Sequence, residues 1–365
     1  MEKELVKLSD SQISTFNSCK MEYYYAYVKC LVPRKKKKSL SFGKIFHEGM
    51  EGLYAPPLND INVNYALRMI DRAVANVDRS MFEQSDYDDL EWSEIVAKEM
   101  IRGIAKTWFK DDMKEGVKIL EVEGEHIVPM INPDTHRKSK QFLFHVRADK
   151  IKIENGRFWL VEYKTTSSID KNLEQRLKID KQSLNYLYYL QGIYGVQFEG
   201  TIFRYLKKPG IKRLEKVPST DADGIKIVID RNGDRVLNNN GSPRQSADTA
   251  KGFYFKYRPE TREEFFKRLE DEFTKDPDKY FHEFRIHMPQ EDMIQSAREL
   301  WIAGQDVAYV RKHGLYHKNT KNCLMINCSY IKLCAGSLDE DDVQNMFKKK
   351  EEEVDEQETP DSEGD

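Results

Sequence analysis

Cysteine is scarce, at five residues in 365. That is too few to scaffold a chain of this length with disulfides, which leaves metal or cluster ligation and plain burial as its uses. Long apolar runs are absent. No stretch approaches the roughly 18 to 20 residues of a membrane span, and residues 1–10 hold no apolar segment like that of a secretory leader. The expectation is a cytoplasmic protein without membrane contact. No Gly-x-x-x-x-Gly-Lys-Ser/Thr loop occurs, so the sequence shows no nucleotide-driven motor of its own. No internal repeat or long Gly/Ser linker is evident either. What is there, 39% hydrophobic, 11% aromatic and 33% charged residues, fits a charge-rich globular protein.

A formal net charge of −3 speaks against a strongly basic, nucleic-acid-binding protein only as an average. Thirteen Asp or Glu and three Lys fall in 339–365, leaving residues 1–338 with 56 basic and 49 acidic side chains, a net of +7. The body is basic and the end acidic. With few apolar residues to bury, 339–365 is expected to be a disordered, solubilising tail.

Ser9 followed by Gln12 is a capping-box pattern that opens a helix carrying Ile13 and Phe16. Apolar periodicity predicts further helices over 40–54, 64–82, 92–110, 181–194, 261–273 and 291–312. Strands are predicted over 117–130, 141–153, 157–164 and 201–206, and 238–246 reads as an exposed polar loop. Asn155-Gly156 is a strong two-residue hairpin signal.

If that turn forms, Glu154 faces Arg157, and counting back along both strands sets Asp149 opposite Glu162. Opposed positions hold Cβ atoms about 4.5 to 5.5 Å apart, where like charges are destabilising without compensation. A divalent cation compensates, because carboxylate oxygens are the natural ligands of magnesium and manganese. Lys164 emerges beside Glu162 on the same face. Two carboxylates and one ammonium suit phosphodiester hydrolysis: a cation acidifies water, and the Lys orients that water or stabilises the transition state. Glu-x-Lys occurs only here, at Glu162-Tyr163-Lys164. The Asp counterpart, Asp112-Met113-Lys114, sits at a predicted helix end with no partner strand.

The order of motifs resembles the RecB-like branch of the PD-(D/E)XK nuclease superfamily, including CRISPR-associated RecB-like exonucleases and phage-encoded relatives. Ser9 to Cys19 with Tyr23 to Tyr27 is similar to its opening segment, and Gly43-Lys44-Ile45-Phe46-His47 to its Gly-x-x-x-His helix. Glu123 resembles the acidic residue one strand before the metal-binding Asp. Arg147-Ala148-Asp149 and Glu162-Tyr163-Lys164 resemble the two core motifs, and Gln182-x-x-x-Tyr186 the helix after them. Val146 stands where the family often has Gly, and Lys20 where it has Pro, marking a divergent member.

The resemblance implies an α/β fold with a mixed central sheet of restriction-endonuclease-like type, flanked by helices. Residues 1–115 would form a helical part, 116–288 the nuclease core, and 289–338 a C-terminal helix with a cysteine segment. The implied activity is a metal-dependent DNA nuclease, an exonuclease on single-stranded DNA or free ends in recombination, repair or phage DNA metabolism. Asp149, Glu162 and His47 would bind magnesium or manganese, with Glu123 as an outer carboxylate. Lys164 would be catalytic, and Gln182 and Tyr186 would hold a phosphate or the scissile strand. Cys19, Cys323, Cys328 and Cys334 would ligate a four-iron, four-sulfur cluster, zinc being the alternative for thiolates. Their C-x4-C-x5-C spacing departs from the commoner C-x2-C-x5-C, and Cys30 reads as a plain buried thiol.

Arg34 with Lys35 to Lys38 would track phosphates, and Tyr23, Tyr24, Tyr25 and Tyr27 would stack on unpaired bases; the competing uses are a solvated loop and ordinary packing. The protein would act alone or with a separate helicase or recombination protein. The alternative function is a non-catalytic nucleic-acid-binding accessory protein with a structural iron–sulfur or zinc site.

Overall fold

The computed structural model describes residues 5–34, 38–57, 62–80, 82–325 and 328–350. The N-terminal part gives strand β1 (Val6–Ser9), helices α1 (Asp10–Ser18) and α2 (Lys20–Tyr23), a π-helical turn (Tyr24–Val28) and strand β2 (Leu31–Pro33). Helices α3 (Lys38–Leu53), α4 (Asn62–Ala75), α5 (Gln84–Lys106) and α6 (Trp108–Asp112) follow. Next come β3 (Val117–Ile131), β4 (Lys138–Glu154), β5 (Arg157–Thr166), α7 (Leu173–Leu177), α8 (Lys181–Tyr194) and β6 (Phe198–Lys207). Four two-residue strands, β7 (Val217–Pro218), β8 (Val228–Ile229), β9 (Tyr254–Phe255) and β10 (Tyr257–Arg258), lead to α9 (Arg262–Lys275). Strand β11 (Phe281–His287), α10 (Gln290–His313), α11 (Thr320–Met325), α12 (Ile331–Ala335), α13 (Glu340–Met346) and β12 (Phe347–Lys349) complete the order.

The Asn155-Gly156 turn behaves as its residues dictate. Both take positive φ, 51° and 77°, the left-handed geometry such a turn needs, and β4 and β5 pair from Glu154–Arg157 to Lys150–Val161. The predicted register is the observed one. Strand β4 organises the rest: β3 runs antiparallel along one edge, while the other edge takes β1 in parallel at 142–145 and β5 at 150–154. Strand β6 lies parallel to β5, and β11 antiparallel to β6, giving a mixed six-stranded sheet.

Alternation along the strands sends side chains to two cores. On one face Phe142, Phe144, Leu160 and Phe203 pack with Ile13, Phe16, Leu187 and Val307 of α1, α8 and α10. On the other, Trp159, Val161, Tyr163 and Ile202 meet Phe46, Ile70, Met100 and Leu269 of α3, α4, α5 and α9. This is the expected α/β architecture with a mixed sheet flanked by helices.

Several elements differ from expectation. Strands β1 and β11 were not predicted, because four and seven residues at the ends of helices carry little periodic signal. Helix α5 begins well before position 92, where Glu83 and Asp86 form a reciprocal capping box. The segment 238–246 is not a plain loop but the third of three successive turns starting at Asp221, Asp230 and Asn238, a short internal repeat absent from the sequence reading. The acidic tail starts later than 339. Asp339 and Asp342 cap α13, β12 pairs antiparallel with β2, and the Phe347 ring stacks on Tyr330 at 5.5 Å and 12°. Residues 351–365 lie outside the described residues.

Candidate metal centre

Between the β1 and β5 ladders, positions 146–149 of β4 have an edge to which neither strand is paired. Asp149 sits in that gap. Its Oδ2 accepts the N–H of Tyr163 at 2.7 Å, so the carboxylate satisfies an amide beyond the end of the β4–β5 ladder and is held by β5 as well as by its own strand.

Three elements converge on the gap. His47 of α3 lies with Nδ1 3.3 Å from Glu123 Oε1 and 3.7 Å from Asp149 Oδ1. Glu123 comes from β3 with φ of 49°, a left-handed backbone rare for a non-glycine residue within a strand and of the kind that gathers at functional sites. Its Oε2 accepts from Arg147 Nε at 3.1 Å and from the second guanidinium nitrogen at 3.0 Å. One atom each from His47, Glu123 and Asp149 fall within 4.8 Å of one another, the only such His, Cys, Asp or Glu group among the described residues. Burial works against a charged His47, but the Glu123 hydrogen bond and the Asp149 and Glu123 charges outweigh it and raise its pKa above the usual value.

Glu162 is on β5, fully buried. Lys164 Nζ donates to its Oε2 at 2.9 Å and Gln182 Nε2 does so at 3.4 Å, while Gln182 Oε1 accepts from Lys164 at 3.4 Å. Burial, opposed by Lys164 and reinforced by Asp149, pushes the Glu162 carboxyl up to about 8. Burial also disfavours the Lys164 ammonium, yet Glu162 and Asp149 prevail and hold it protonated well above its usual range. Glu162 Oε1 is buried with no hydrogen-bond partner among the described residues.

A sequence model of the PD-(D/E)XK nuclease superfamily matches residues 7–334. The chain belongs to the PD-(D/E)XK nuclease superfamily. A search of curated proteins finds no match to it. The superfamily's acid-rich centre takes magnesium or manganese, and this site fits such an ion: it offers two carboxylates and an imidazole at close quarters, beside a buried carboxylate oxygen with nothing to bind. Hard divalent cations take that donor set.

Other expected site residues separate. Gln182 joins the centre, holding Lys164 and Glu162 together. Tyr186, one turn further along α8, is 5% exposed, packs edge-on to Phe144 at 6.3 Å and engages the Arg147 backbone. The tyrosines expected to stack on bases largely pack instead. Tyr23 is fully buried, Tyr24 lies 4.5 Å from the Tyr316 ring, and Tyr25 stacks on Tyr330 at 5.7 Å. Of the basic run, Arg34 bonds the carbonyl of Gln344, and positions 35–37 lie outside the described residues.

The chain ends do meet around the cysteines. Asn319 and Asn322 donate to the Ser18 carbonyl at 2.8 and 2.9 Å, and Asn319 N–H points to Cys19 Sγ at 3.5 Å. Burial raises the Cys328 and Cys334 pKa values, seconded by Glu22 and then other thiols at Cys328 and by the Cys328 thiol at Cys334. Among the described residues these thiols do not form a compact set with ligand atoms within 4.8 Å, so an iron–sulfur centre is not evident from their placement. Cys30 is half-buried rather than buried.

The sequence reading missed Arg147 as a site residue. The signal was its place in the Arg147-Ala148-Asp149 stretch, two positions from Asp149.

Proposed function

We propose that this protein is a magnesium- or manganese-dependent deoxyribonuclease of RecB-like type that degrades DNA from single-stranded ends. The observation that carries the reading is the unpaired, buried Glu162 Oε1 beside the convergent His47, Glu123 and Asp149. These four residues would hold the cation, which when bound supplies Lewis acidity and an acidified water. The chain's own groups do the rest. Lys164, held protonated, places a positive charge where the phosphate gains negative charge in the transition state. Gln182 fixes the Lys164 and Glu162 side chains in one arrangement, and Arg147 holds Glu123 toward His47.

The finer features are part of the same proposal: a four-iron, four-sulfur cluster on Cys19, Cys323, Cys328 and Cys334 that staples the ends, action alongside a separate helicase or recombination protein, and a cytoplasmic setting. Among the described residues no helix is long and apolar enough to cross a membrane. The docking of Asn319 and Asn322 on Ser18 and Cys19 supports a staple there.

The test is incubation of end-labelled single- and double-stranded DNA, linear and circular, with magnesium or manganese. Release of short products from linear single strands and survival of circles is the expected result. Cleaved circles would change the reading to endonuclease, and intact DNA throughout would falsify the nuclease. For the cluster, anaerobically purified protein should absorb near 400 nm; a colourless protein carrying stoichiometric zinc overturns it.

A further inference from the structure

Between β6 and α9 the chain makes three turns of one design. Asp221, Asp230 and Asn238 each open a turn by donating N–H to a carbonyl four residues on, Ile225 at 2.9 Å, Asp234 at 2.9 Å and Ser242 at 2.8 Å. A glycine in each, Gly224, Gly233 and Gly241, takes φ of 76°, 90° and 80°. Each glycine donates back to the residue that opens its turn. Each hairpin is closed by a second bond outside its turn: Ile227 N–H to Ser219 O at 2.8 Å, Val236 to Val228 at 2.9 Å and Arg244 to Val236 at 3.1 Å, with Val236 shared by the second and third hairpins. The result is a small stack of hairpins that the metal centre does not use.

Its charge is uneven. Residues 207–258 hold twelve Lys or Arg and six Asp or Glu, in a chain whose total is −3. Three of the acids are turned into their own backbone. Asp221 Oδ1 accepts from the Asp223 and Ile225 N–H, Asp230 Oδ1 from Asn232 and Asp234, and Asp248 Oδ1 from Lys251. Asp221 is further paired with Arg235, and Asp248 with Arg244 and Lys251. Lys216, Arg231 and Lys256 are exposed and take part in no ion pair among the described residues. Tyr254 and Tyr257 are 39% and 53% exposed nearby in sequence.

The stack also has a defined root. Tyr205 and Lys207 pair across to Lys164 and Thr166 of β5, so the chain leaves the sheet about two residues past the catalytic lysine. Trp92 Nε1 then bonds the Ile211 carbonyl at 3.1 Å and anchors the exit on α5.

We propose that this hairpin stack is a second nucleic-acid contact, binding the sugar–phosphate backbone of the DNA substrate away from the metal centre through Lys216, Arg231 and Lys256. The identity of the strand as substrate rests on the nuclease reading; the binding surface does not. Exposed cations with their own carboxylates tied inward suit a polyanion, and exposed tyrosines offer sequence-independent stacking.

The test is the triple variant Lys216→Glu, Arg231→Glu, Lys256→Glu, with the milder Lys216→Gln, Arg231→Gln, Lys256→Gln as a second protein if the first melts early. Affinity for fluorescein-labelled single-stranded DNA of about 40 nucleotides is read by anisotropy without divalent metal across a salt series. The reversal variant should bind roughly tenfold or more weakly at low salt, with the slope of log affinity against log salt reduced by about 2. The neutral variant should fall between. Cleavage of an oligonucleotide of about 6 nucleotides in magnesium, chosen to depend least on contacts outside the metal centre, should fall less than binding of the long strand does. Unchanged affinity and slope in both variants overturn the proposal and leave the face to a protein partner. Failure of the parent to cleave any DNA overturns the nuclease reading instead, since binding is measured without hydrolysis.

Discussion

Lys150 Nζ donates to Asp112 Oδ2 at 2.5 Å with both side chains wholly buried. The same carboxylate accepts from Tyr54 at 2.7 Å, Lys152 at 3.1 Å and Arg204 at 2.6 and 3.1 Å. Lys150 also donates to Tyr163 at 2.6 Å. Lys150 and Tyr163 are the chain neighbours of Asp149 and of Glu162 and Lys164, on the opposite face of the sheet, and Tyr54 follows the helix that bears His47. One aspartate thus ties together the backbones that carry Asp149 and Glu162 with the end of the helix that bears His47.

Asp112→Asn leaves Lys150, Lys152 and Arg204 facing a neutral amide. Removing one partner of such a buried set costs about 3–5 kcal/mol, and urea unfolding should show a loss of that size. Asp111→Asn is the control: Asp111 and its partner Lys114 are both exposed, and the change should stay within about 0.5 kcal/mol. Burial alone would raise the Asp112 pKa, but Lys150, Arg204 and Lys152 outweigh it and hold the carboxyl far below its usual value. A depressed carboxylate stabilises the fold above its unfolded pKa. Its contribution is therefore intact at neutral pH and drains away below about pH 4. An Asp112→Asn protein that unfolds at the parental urea concentration would dismiss the network as an anchor.

Lys164→Ala should lower the cleavage rate by about 10²- to 10⁴-fold while DNA affinity, read by anisotropy, changes little. A variant with parental rates removes Lys164 from the chemistry.

Arg147→Ala tests a residue that reaches the cation only through Glu123. The fold should be unharmed, since the Arg147 side chain is half exposed. The magnesium concentration for half-maximal cleavage should rise about 10- to 100-fold, with the rate at saturating metal largely restored. A lowered rate that excess metal cannot rescue would place Arg147 elsewhere in the mechanism.

Glu162 yields a pH prediction of opposite sign to Asp112. Its folded pKa, pushed up to about 8 by burial, lies above the unfolded value of 4.5, so the metal-free native state holds a proton that the unfolded chain has lost. Stability should fall as pH rises from about 4.5 to about 8. Glu162→Gln should flatten that slope, and added magnesium should raise the melting temperature more at pH 8 than at pH 6, because binding requires the carboxylate. Thermal melts across this range, with and without metal, decide it; an unchanged slope in the glutamine variant rejects the assignment.

How much of this was legible follows from the range of the forces involved. The Asn155-Gly156 turn is local, so its register, and with it the Asp149–Glu162–Lys164 set, could be counted off the chain. His47 and Glu123 lie far from that hairpin in sequence, and only the resemblance linked them to it. Asp112 was set aside as a stray Asp-x-Lys because its partners are between 38 and 92 positions away. Tyr186 shares a helical face with Gln182, but one turn of α8 separates the rim of the site from the core, a depth that spacing alone does not encode. The hairpin repeat escaped because Asp and Asn interchange within it and its period alternates between nine and eight residues.

The acidic end shows how a changed boundary changes an experiment. Removing everything after 338 would take away nine carboxylates beyond 350, but also α13, β12 and the Phe347–Tyr330 stack. That stack continues to Tyr25, and the Tyr330 hydroxyl donates to the Leu31 carbonyl at 2.7 Å, so the longer cut loosens the joint between chain ends as well as altering charge. A cut after Lys350 isolates the charge. It should raise affinity for single-stranded DNA at low salt, with the gain shrinking as salt is raised toward about 0.2 M, where the screening length is a few ångströms shorter. Its melting temperature should match the parent, while the cut after 338 should melt earlier. Equal DNA affinity of the shorter protein and the parent at every salt concentration would make the acidic end a bystander.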